Sequence, residues 1–258
     1  MADYRGENQR LWNDWSDDFQ AIWNADTSKE ELPPAPCPFT EDAPGGSHPD
    51  ILSSTQGIEF IELGCGGGQA SVGTAVEGAE TVVGVDFSHE QLRHAKELRD
   101  LYGVDAEFVK GDVTNLPFAN DLFDAAFSGW VFQMVPELGK CLKEARRVLR
   151  SDGVLVFDLP HPFYEIFDPE TKTLRRSYHS TNRRKITIDE EYDSEMVVFD
   201  RKVGELHNEI VQAGFDVKYI HEPGSANPDD YDDDRLASTQ PELMAQVPRN
   251  LRFWAVPN

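Results

Sequence analysis

The sequence predicts an α/β fold, a mostly parallel sheet with helices on both faces. From residue 58 onward, short apolar runs alternate with segments of helical periodicity, which is the pattern of successive βα units. A glycine-rich turn follows the first apolar run, and an acidic residue closes the second. At 258 residues the chain is long enough for one large domain of this class with additional segments.

The first part of the sheet contains five predicted strands, which cover residues 58–63, 81–86, 106–110, 123–128 and 154–158. Three helices connect them. The first follows the glycine turn, and the second begins at Ser88, which resembles a capping box with Gln91 and predicts a helix that stops at Gly103. The third, over residues 138–149, has the clearest periodicity in the chain because its apolar residues share one face.

The rest of the domain departs from the βα pattern. Residues 163–200 contain alternating stretches that predict an inserted β-hairpin or meander. A helix that ends at Gly214 and two final strands, 215–221 and 251–256, follow this insertion. The acidic segment 227–238 between those strands predicts a solvated loop.

The first 50 residues differ in character from the remainder. Their aromatic residues Trp12, Trp15, Phe19 and Trp23 recur at 3-4-4 spacing, so they line one face of a predicted helix. A Pro-rich stretch, LPPAPCPF, connects this helix to the core. We therefore divide the chain into a helical extension with its linker, residues 1–50, and an α/β domain, residues 51–258.

Composition limits the partners that the protein is expected to have. The chain has 24 basic against 47 acidic residues, a formal charge of −23, and nine lysines against fifteen arginines. A heavily acidic, lysine-poor surface is typical of a halophilic protein, because concentrated salt screens the self-repulsion; an ordinary acidic cytosolic enzyme is the alternative. Under ordinary salt such a charge repels nucleic acid and anionic membranes, so neither is an expected partner.

Cysteines and the N-terminus give further expectations. Cys37, Cys65 and Cys141 form no C-x-x-C pair, and no trio of carboxylates stands out at the strand tips, so we expect neither a metal site nor a disulfide framework. The N-terminus lacks the apolar region of a signal peptide, and no run of 18 apolar residues occurs. We expect a soluble, cytoplasmic protein, and we leave its oligomeric state open.

The segment ELGCGGG, residues 62–68, suits close approach of a ligand to the main chain, because glycine has no side chain to obstruct it. A dinucleotide-binding turn, G-x-G-x-x-G, would place a third glycine where Gln69 stands. The spacing present is G-x-G-x-G, at Gly64, Gly66 and Gly68. Several nucleotide cofactors use a turn of this kind, so the neighbouring strand ends must decide between them.

Two carboxylates lie at the ends of the second and third strands. Asp86, 22 residues after Gly64, can accept hydrogen bonds from two ribose hydroxyls. Asp112, 26 residues later, can accept one from an adenine amino group. The fourth strand ends in SGWVFQM. In open α/β sheets these tips share one edge, where ligands bind.

Together these motifs resemble the class I S-adenosylmethionine-dependent methyltransferases, particularly the small-molecule branch often called type 11. The resemblance covers roughly residues 57–160 and returns at EIVQAGFDVKYIHEP and LRFWAVP. It implies a Rossmann-like seven-stranded sheet of order 3-2-1-4-5-7-6 with strand seven antiparallel. It also implies an enzyme that transfers a methyl group from S-adenosylmethionine to a small-molecule acceptor by in-line displacement.

The resemblance further implies which residues bind the donor. Gly64, Cys65 and Gly66 would contact the methionine portion, and Glu62 would orient the loop that also contains Gly68. Asp86 would hold the ribose diol and Phe87 the adenine face. The remaining residues expected around the donor are Asp112 and Val113 at the adenine edge, and Ser128, Gly129 and Trp130 near the sulfonium.

Trp12 would contact the donor if, as the resemblance implies, the N-terminal helix lies across the donor pocket, although ordinary packing explains the same stripe. Residues near the acceptor are harder to assign. His161 is the one plausible general base; the alternative is a loop histidine without a chemical role. Tyr164 and Gln133 are weaker candidates for touching the acceptor. No base is needed when the acceptor arrives deprotonated, since the donor is already activated.

Two other functions remain open from the sequence. One is a protein that binds S-adenosylmethionine or S-adenosylhomocysteine without catalysis, because binding and transfer use the same loop. The other is an NAD-dependent oxidoreductase, which Gln69 and Asp112 disfavour.

The charge balance predicts that stability depends on salt. Lowering ionic strength from 1 M to 0.1 M lengthens the screening distance from about 3 Å to about 10 Å, so repulsion among the 47 acidic residues grows. We expect the melting temperature to fall steadily between 2 M and 0.1 M potassium chloride. Equal melting temperatures at both concentrations would contradict salt adaptation.

Overall fold

The computed structural model describes residues 4–24, 37–41, 47–168, 170–180, 182–231 and 240–258. Most of the predicted Pro-rich stretch and much of the predicted acidic loop lie outside these residues.

A seven-stranded sheet of order β3-β2-β1-β4-β5-β9-β8 forms the centre of the fold. Neighbouring strands are parallel except β9, which is antiparallel to both β5 and β8. The predicted order 3-2-1-4-5-7-6 is confirmed, with β8 and β9 as strands six and seven. The nine strands of the described chain are β1 Glu59–Leu63, β2 Thr81–Asp86, β3 Glu107–Lys110, β4 Phe123–Gly129, β5 Leu149–Pro160, β6 Arg183–Ile186, β7 Met196–Phe199, β8 Phe215–His221 and β9 Asn250–Pro257.

Helices cover both faces of this sheet because the strand side chains alternate between two hydrophobic clusters. In β1, Phe60 joins the cluster under α3 and α4, whereas Ile61 joins the cluster under α5 and α6. None of the described helices is long and apolar enough to cross a membrane. The helices are α1 Tyr4–Asp14, α2 Ser16–Trp23, α3 Gln69–Val76, α4 His89–Tyr102, α5 Leu138–Val148, α6 Val203–Gln212 and α7 Pro241–Met244.

The N-terminal extension is two helices rather than the predicted one. The break falls at Trp15, between α1 and α2. The rings of Trp12, Trp15 and Phe19 still meet on one side, with centroids 4.9 to 5.3 Å apart. Trp23, the last residue of the predicted stripe, is 42% exposed, so the packed part of the stripe ends at Phe19.

The start of α4 forms only half of the predicted capping box. Ser88 Oγ accepts a hydrogen bond from the Gln91 amide at 3.2 Å. The Gln91 side-chain oxygen, however, accepts from Gln20 Nε2 of α2 at 2.8 Å, and the Ser88 amide donates to Asp86. The reciprocal bond is absent because the Gln91 side-chain oxygen and the Ser88 amide each have another partner.

The insertion after β5 contains the predicted hairpin. Strands β6 and β7 pair antiparallel in a separate two-stranded sheet. Asn8 of α1 joins β7 through two hydrogen bonds, from its Nδ2 to the Val197 carbonyl at 3.0 Å and from the Val197 amide to its Oδ1 at 2.7 Å. Helix α1 is therefore held between the main sheet and the insertion.

A buried ion pair joins β5 to β9. Arg252 is 2% exposed and donates from Nε and Nη2 to the two carboxylate oxygens of Asp158, at 2.5 and 2.6 Å. Its Nη1 donates to the Pro38 carbonyl at 3.1 Å, which ties the end of the N-terminal linker to the sheet. Burial raises the pKa of Asp158, and Arg252 opposes that effect.

We expect Arg252→Met to lower the free energy of unfolding by about 3 kcal/mol, because it leaves a buried carboxylate unpaired. The double variant Arg252→Met/Asp158→Leu should recover most of that loss, since no charge remains to be desolvated. Chemical denaturation monitored by circular dichroism measures both. If the double variant is as unstable as the single one, the pair does not act through its charges.

Candidate functional site

A cavity of about 1060 Å³ lies at the carboxyl ends of β1 to β4, the edge at which open α/β sheets bind ligands. The glycine loop and the tips of these strands form its floor, and α1, α2 and the insertion form its other walls.

The glycine loop turns towards the cavity with left-handed backbone angles. Gly64 and Gly66 have φ values of +78° and +50°, a region that residues with side chains rarely adopt. A Cβ at Gly66 would meet only Gln91 Oε1 at 3.7 Å, so the space beside it belongs to the cavity. A Cβ at Gly64 would overlap the Val131 side chain at 2.4 Å. Gly66 thus leaves its main chain open to a ligand, and Gly64 lets the segment that follows β4 approach.

Gly68 was predicted to bind the donor, but it does not line the cavity. It precedes α3 with a φ of +78°, and a Cβ there would meet Ala95 and Phe108 at 2.8 Å. This glycine is needed for close packing of the turn on the sheet and α4 rather than for ligand contact.

Glu62 holds the loop from below. It is 5% exposed, and its Oε2 accepts from the amide and the hydroxyl of Ser71 in the first turn of α3, at 2.8 and 2.5 Å. Burial raises the pKa of Glu62 to about 8, against the effect of the Ser71 bonds, and the nearby Asp86 adds to the rise. The carboxyl group fixes where α3 begins and so sets the shape of the loop.

Asp86, at the end of β2, binds the glycine loop from the neighbouring strand. Its Oδ2 accepts from the Gly66 amide at 2.9 Å, and its Oδ1 accepts from the Ser88 amide at 2.8 Å. The residue is 6% exposed, which differs from the open position that a strand tip suggests. Helix α1 covers this tip, where Gln9 Nε2 donates to the Phe87 carbonyl at 2.6 Å. Burial raises the pKa of Asp86 to about 6.

Asp112 lies at the tip of β3, beside the cavity-lining Val113. Its Oδ1 accepts from the amide and hydroxyl of Thr114, both at 2.8 Å. Its Oδ2 forms an ion pair with Arg5 Nη1 of α1 at 2.7 Å. The predicted adenine-side carboxylate is therefore also an anchor for the N-terminal helix.

At the tip of β4, Gly129 and Trp130 line the cavity, but the predicted Ser128 does not. Ser128 is fully buried, and its hydroxyl donates to the Leu63 carbonyl at 2.7 Å, so it ties β4 to β1. Trp130 has a φ of +55° and a side chain that is 40% exposed. Strained backbone of this kind persists where the surroundings impose it, often at functional sites.

His161 does not support the prediction of a general base. Its Nδ1 accepts from the Phe163 amide at 3.0 Å, so Nε2 carries the proton and donates to Glu222 Oε1 at 2.7 Å. Burial lowers the pKa of His161, and the side chain lies outside the cavity wall, as does Tyr164. His161 braces the loop after β5 against the residue that follows β8.

Trp12, which was predicted at the donor pocket, and Gln133, which was predicted near the acceptor, both reach the cavity. Trp12 lines it and donates from Nε1 to Met134 Sδ at 3.3 Å. Gln133 lines it too, and its Nε2 donates to the Trp130 carbonyl at 2.6 Å.

The insertion supplies a part of the wall that motif analysis missed. We call this part the insertion chamber, defined as the lining residues between positions 160 and 250. A signal was present: the run RRSYHSTNRRK at 175–185 concentrates basic residues in an acidic chain. The charged residues of the chamber are Glu165, Arg176, Arg184, Asp200, Arg201 and Arg249.

Comparison with known proteins agrees with this fold. Residues 61–157 match the methyltransferase domain family. The solved S-adenosylmethionine-dependent methyltransferase of Mesorhizobium loti superimposes with a TM-score of 0.65 at 24% identity, over 80% of this chain and 94% of that one. These findings place the fold among the class I S-adenosylmethionine-dependent methyltransferases.

Two curated relatives are also methyltransferases. The demethylmenaquinone methyltransferase of Desulfitobacterium hafniense is 34% identical over 43% of this chain and 46% of its own length. The phthiotriol/phenolphthiotriol dimycocerosates methyltransferase of Mycobacterium leprae is 28% identical over 62% of each chain. The matches thus span about half to three fifths of these relatives. The family match and these relatives agree that the central part of the chain, residues 61–157, is similar to methyltransferase domains.

The environment of Asp86 predicts a pH dependence of ligand binding. Ribose hydroxyls donate best to the ionised carboxylate, and a proton competes with them below the folded-state pKa of about 6. We expect the affinity for S-adenosylhomocysteine to be constant above pH 7 and to fall towards tenfold per unit below pH 6.

Asp86→Asn should remove this dependence and weaken binding by about 1.5–3 kcal/mol, the range for a hydrogen bond to a charged group. Asp100→Asn, which removes an exposed carboxylate on α4, is the matched control. Calorimetric titration between pH 5 and 8 measures all three proteins. A wild-type profile that is flat across this range would remove Asp86 from the donor site.

Proposed function

We propose that this protein transfers the methyl group of S-adenosylmethionine to a small-molecule acceptor bound in the insertion chamber. The observation that carries the proposal is that one cavity is lined both by the strand tips that suit the donor and by residues of the insertion beyond Trp130. A protein that only bound the donor would have no need of this additional lining.

The polar groups of the wall fit an adenosine-type ligand. Gly66 leaves the floor open, and two ribose hydroxyls can share the remaining lone pairs of the Asp86 carboxylate. Gln91 Nε2 and Gln133 Oε1 are buried without a hydrogen-bond partner among the described residues. Buried polar atoms of this kind cost roughly 1–3 kcal/mol each, so a ligand that rearranges these amides into new hydrogen bonds would be favoured.

S-adenosylmethionine supplies an already activated methyl group, and the residues of this chain therefore contribute by position and exclusion of water. We expect Gly64, Cys65 and Gly66 to hold the methionine portion. Trp130 would border the sulfonium and separate it from solvent. Because His161 is engaged by Phe163 and Glu222, we propose that no histidine base takes part.

The chamber has room for an acceptor of some size. Its wall includes Ile186, Met196 and Val198 of the hairpin, together with Tyr178. The two curated relatives are named as methyltransferases of demethylmenaquinone and of phthiotriol/phenolphthiotriol dimycocerosates. A bulky, partly apolar small molecule suits the wall of the chamber in this protein.

Methyl transfer would be tested directly by turnover. Purified protein incubated with S-adenosylmethionine and a small-molecule fraction of cell extract should produce S-adenosylhomocysteine, detected by mass spectrometry. Gly66→Val should abolish the product, because a β-branched side chain would enter the open space at this left-handed position. Gly103→Val, which also has a positive φ but has nothing within 4 Å of its Cβ, controls for strain. Equal product from wild type and Gly66→Val would contradict the proposed donor site.

We further propose that α1 and α2 act as a lid. Side-chain hydrogen bonds and ion pairs, rather than pairing of backbone strands, hold them to the strand tips and to α4. Among these contacts are Arg5 with Asp112, Gln9 with the Phe87 carbonyl, and Gln20 with Gln91. Segments held in this way open more easily than core strands, and lids exclude water after the ligand enters.

The lid predicts a specific pattern of hydrogen exchange. S-adenosylhomocysteine should protect residues 8–24 more than it protects β5, because it would add contacts to a segment with weak local stability. Deletion of residues 1–30 should weaken binding and abolish transfer while the sheet stays folded. Identical exchange of residues 8–24 with and without ligand would make the segment a permanent brace, and Trp12 would leave the donor site.

A further inference from the structure

Charge in the insertion chamber is opposite to charge in the chain as a whole. The chain has 24 basic and 47 acidic residues. The chamber has four arginines, Arg176, Arg184, Arg201 and Arg249, and two carboxylates, Glu165 and Asp200. A surplus of guanidinium groups in the wall of an otherwise acidic protein points to a ligand that carries negative charge.

Arg184 forms hydrogen-bonded ion pairs with both Glu165 and Asp200. Its Nη2 donates to Glu165 Oε2 at 2.6 Å, and its Nε donates to Asp200 Oδ1 and Oδ2 at 2.7 and 3.0 Å. All three residues are largely buried, with side-chain exposures of 20%, 27% and 15%. Such charge-assisted bonds are short and strong, so Arg184 is the close partner of both carboxylates.

Arg176 stands beside this group without an equivalent partner. Its Nη2 lies 3.6 Å from Glu165 Oε2 and 3.5 Å from Asp200 Oδ1, the same atoms that Arg184 binds closely. No hydrogen bond from Arg176 is found among the described residues, although its side chain is only 18% exposed and its guanidinium has five donors. Burial lowers the pKa of Arg176, and the charge of Arg184 lowers it further.

Two other arginines extend the positive wall. Arg201 donates to the carbonyls of Phe132, Val135 and Pro136, which leaves its positive charge without a carboxylate within ion-pair distance in the described structure. Arg249 lies over the Trp130 ring, with its Cζ 5.4 Å from the centroid. Positive charge therefore extends from the hairpin to the tip of β4.

We infer that the acceptor carries an anionic group, a carboxylate or a phosphate, on an apolar body, and that Arg176 binds this group. The inference rests on the proposed methyl transfer at this cavity and specifies its substrate class. A planar guanidinium matches either oxyanion with two parallel hydrogen bonds. The apolar hairpin residues would contact the rest of the molecule. A cationic acceptor is disfavoured because Arg184 occupies both carboxylates.

Three probes of one shape test the inference: 2-naphthoate, 2-naphthyl phosphate and the neutral 2-naphthamide. Each is titrated calorimetrically into the full-length protein, with and without S-adenosylhomocysteine, at one fixed salt concentration. We expect at least one anionic probe to bind tenfold or more tightly than the amide. The tighter of the two anions identifies the oxyanion for which the chamber is built.

Variants then assign the preference to Arg176. Arg176→Gln should weaken the anionic probe at least tenfold and leave the amide unchanged, and Arg176→Lys should recover part of the affinity. Arg175→Gln is the matched control, because it removes the same charge from the adjacent, exposed position outside the cavity wall. Melting temperatures of the three variants show whether each is folded.

Three results would overturn the inference: equal binding of anion and amide by wild type, no binding of any probe, or an equal loss in Arg175→Gln and Arg176→Gln. The separate titration with S-adenosylhomocysteine tests the donor site alone. Failure there would contradict the proposed function, whereas donor binding with no anion preference would contradict only the substrate class.

Discussion

Asp86 binds the main chain of the glycine loop, Glu62 on the neighbouring strand binds the start of the helix that follows the loop, and the rest of the site depends on these bonds. Glu62 fixes Ser71 at the start of α3, and Asp86 fixes Gly66 and Ser88. Without them a loop with so many glycines would lose its shape, because glycine gains the most conformational freedom on release. Both carboxyl groups are buried at a cost that is visible in their raised pKa values.

Parallel strands make this arrangement possible. In the register of the sheet, Glu62 pairs with Gly84, two residues before Asp86, so the two side chains emerge on the same face. The crossover helices then start above the same edge, where their first turns supply free amides. A cavity at this edge is thus a consequence of the topology, and the additional segments decide what enters it.

The N-terminal helices and the insertion contact each other as well as the sheet. Asn8 joins α1 to β7, and Arg5 joins it to Asp112. Movement of the N-terminal helices would therefore involve the hairpin that carries the insertion chamber. The proposed donor and acceptor sites would share one cover, which suits a reaction that needs water excluded from both reactants at once.

The order of the strands was expected from the resemblance to a known family. Sequence alone determined the alternation of strands and helices, the glycine turn and the carboxylates at the tips of β2 and β3. These features follow from local periodicity and from residues whose spacing along the chain fixes their place at one edge. Only the tertiary structure decided which of the predicted residues face the cavity. Gly68 and Ser128 belong to the motif segments but lie in packed positions outside the cavity wall. Both ring nitrogens of His161 are hydrogen-bonded, to the Phe163 amide and to Glu222. The arginines of the insertion chamber were equally hidden, because residues far apart in the sequence meet there and no local pattern records which side of the hairpin they occupy.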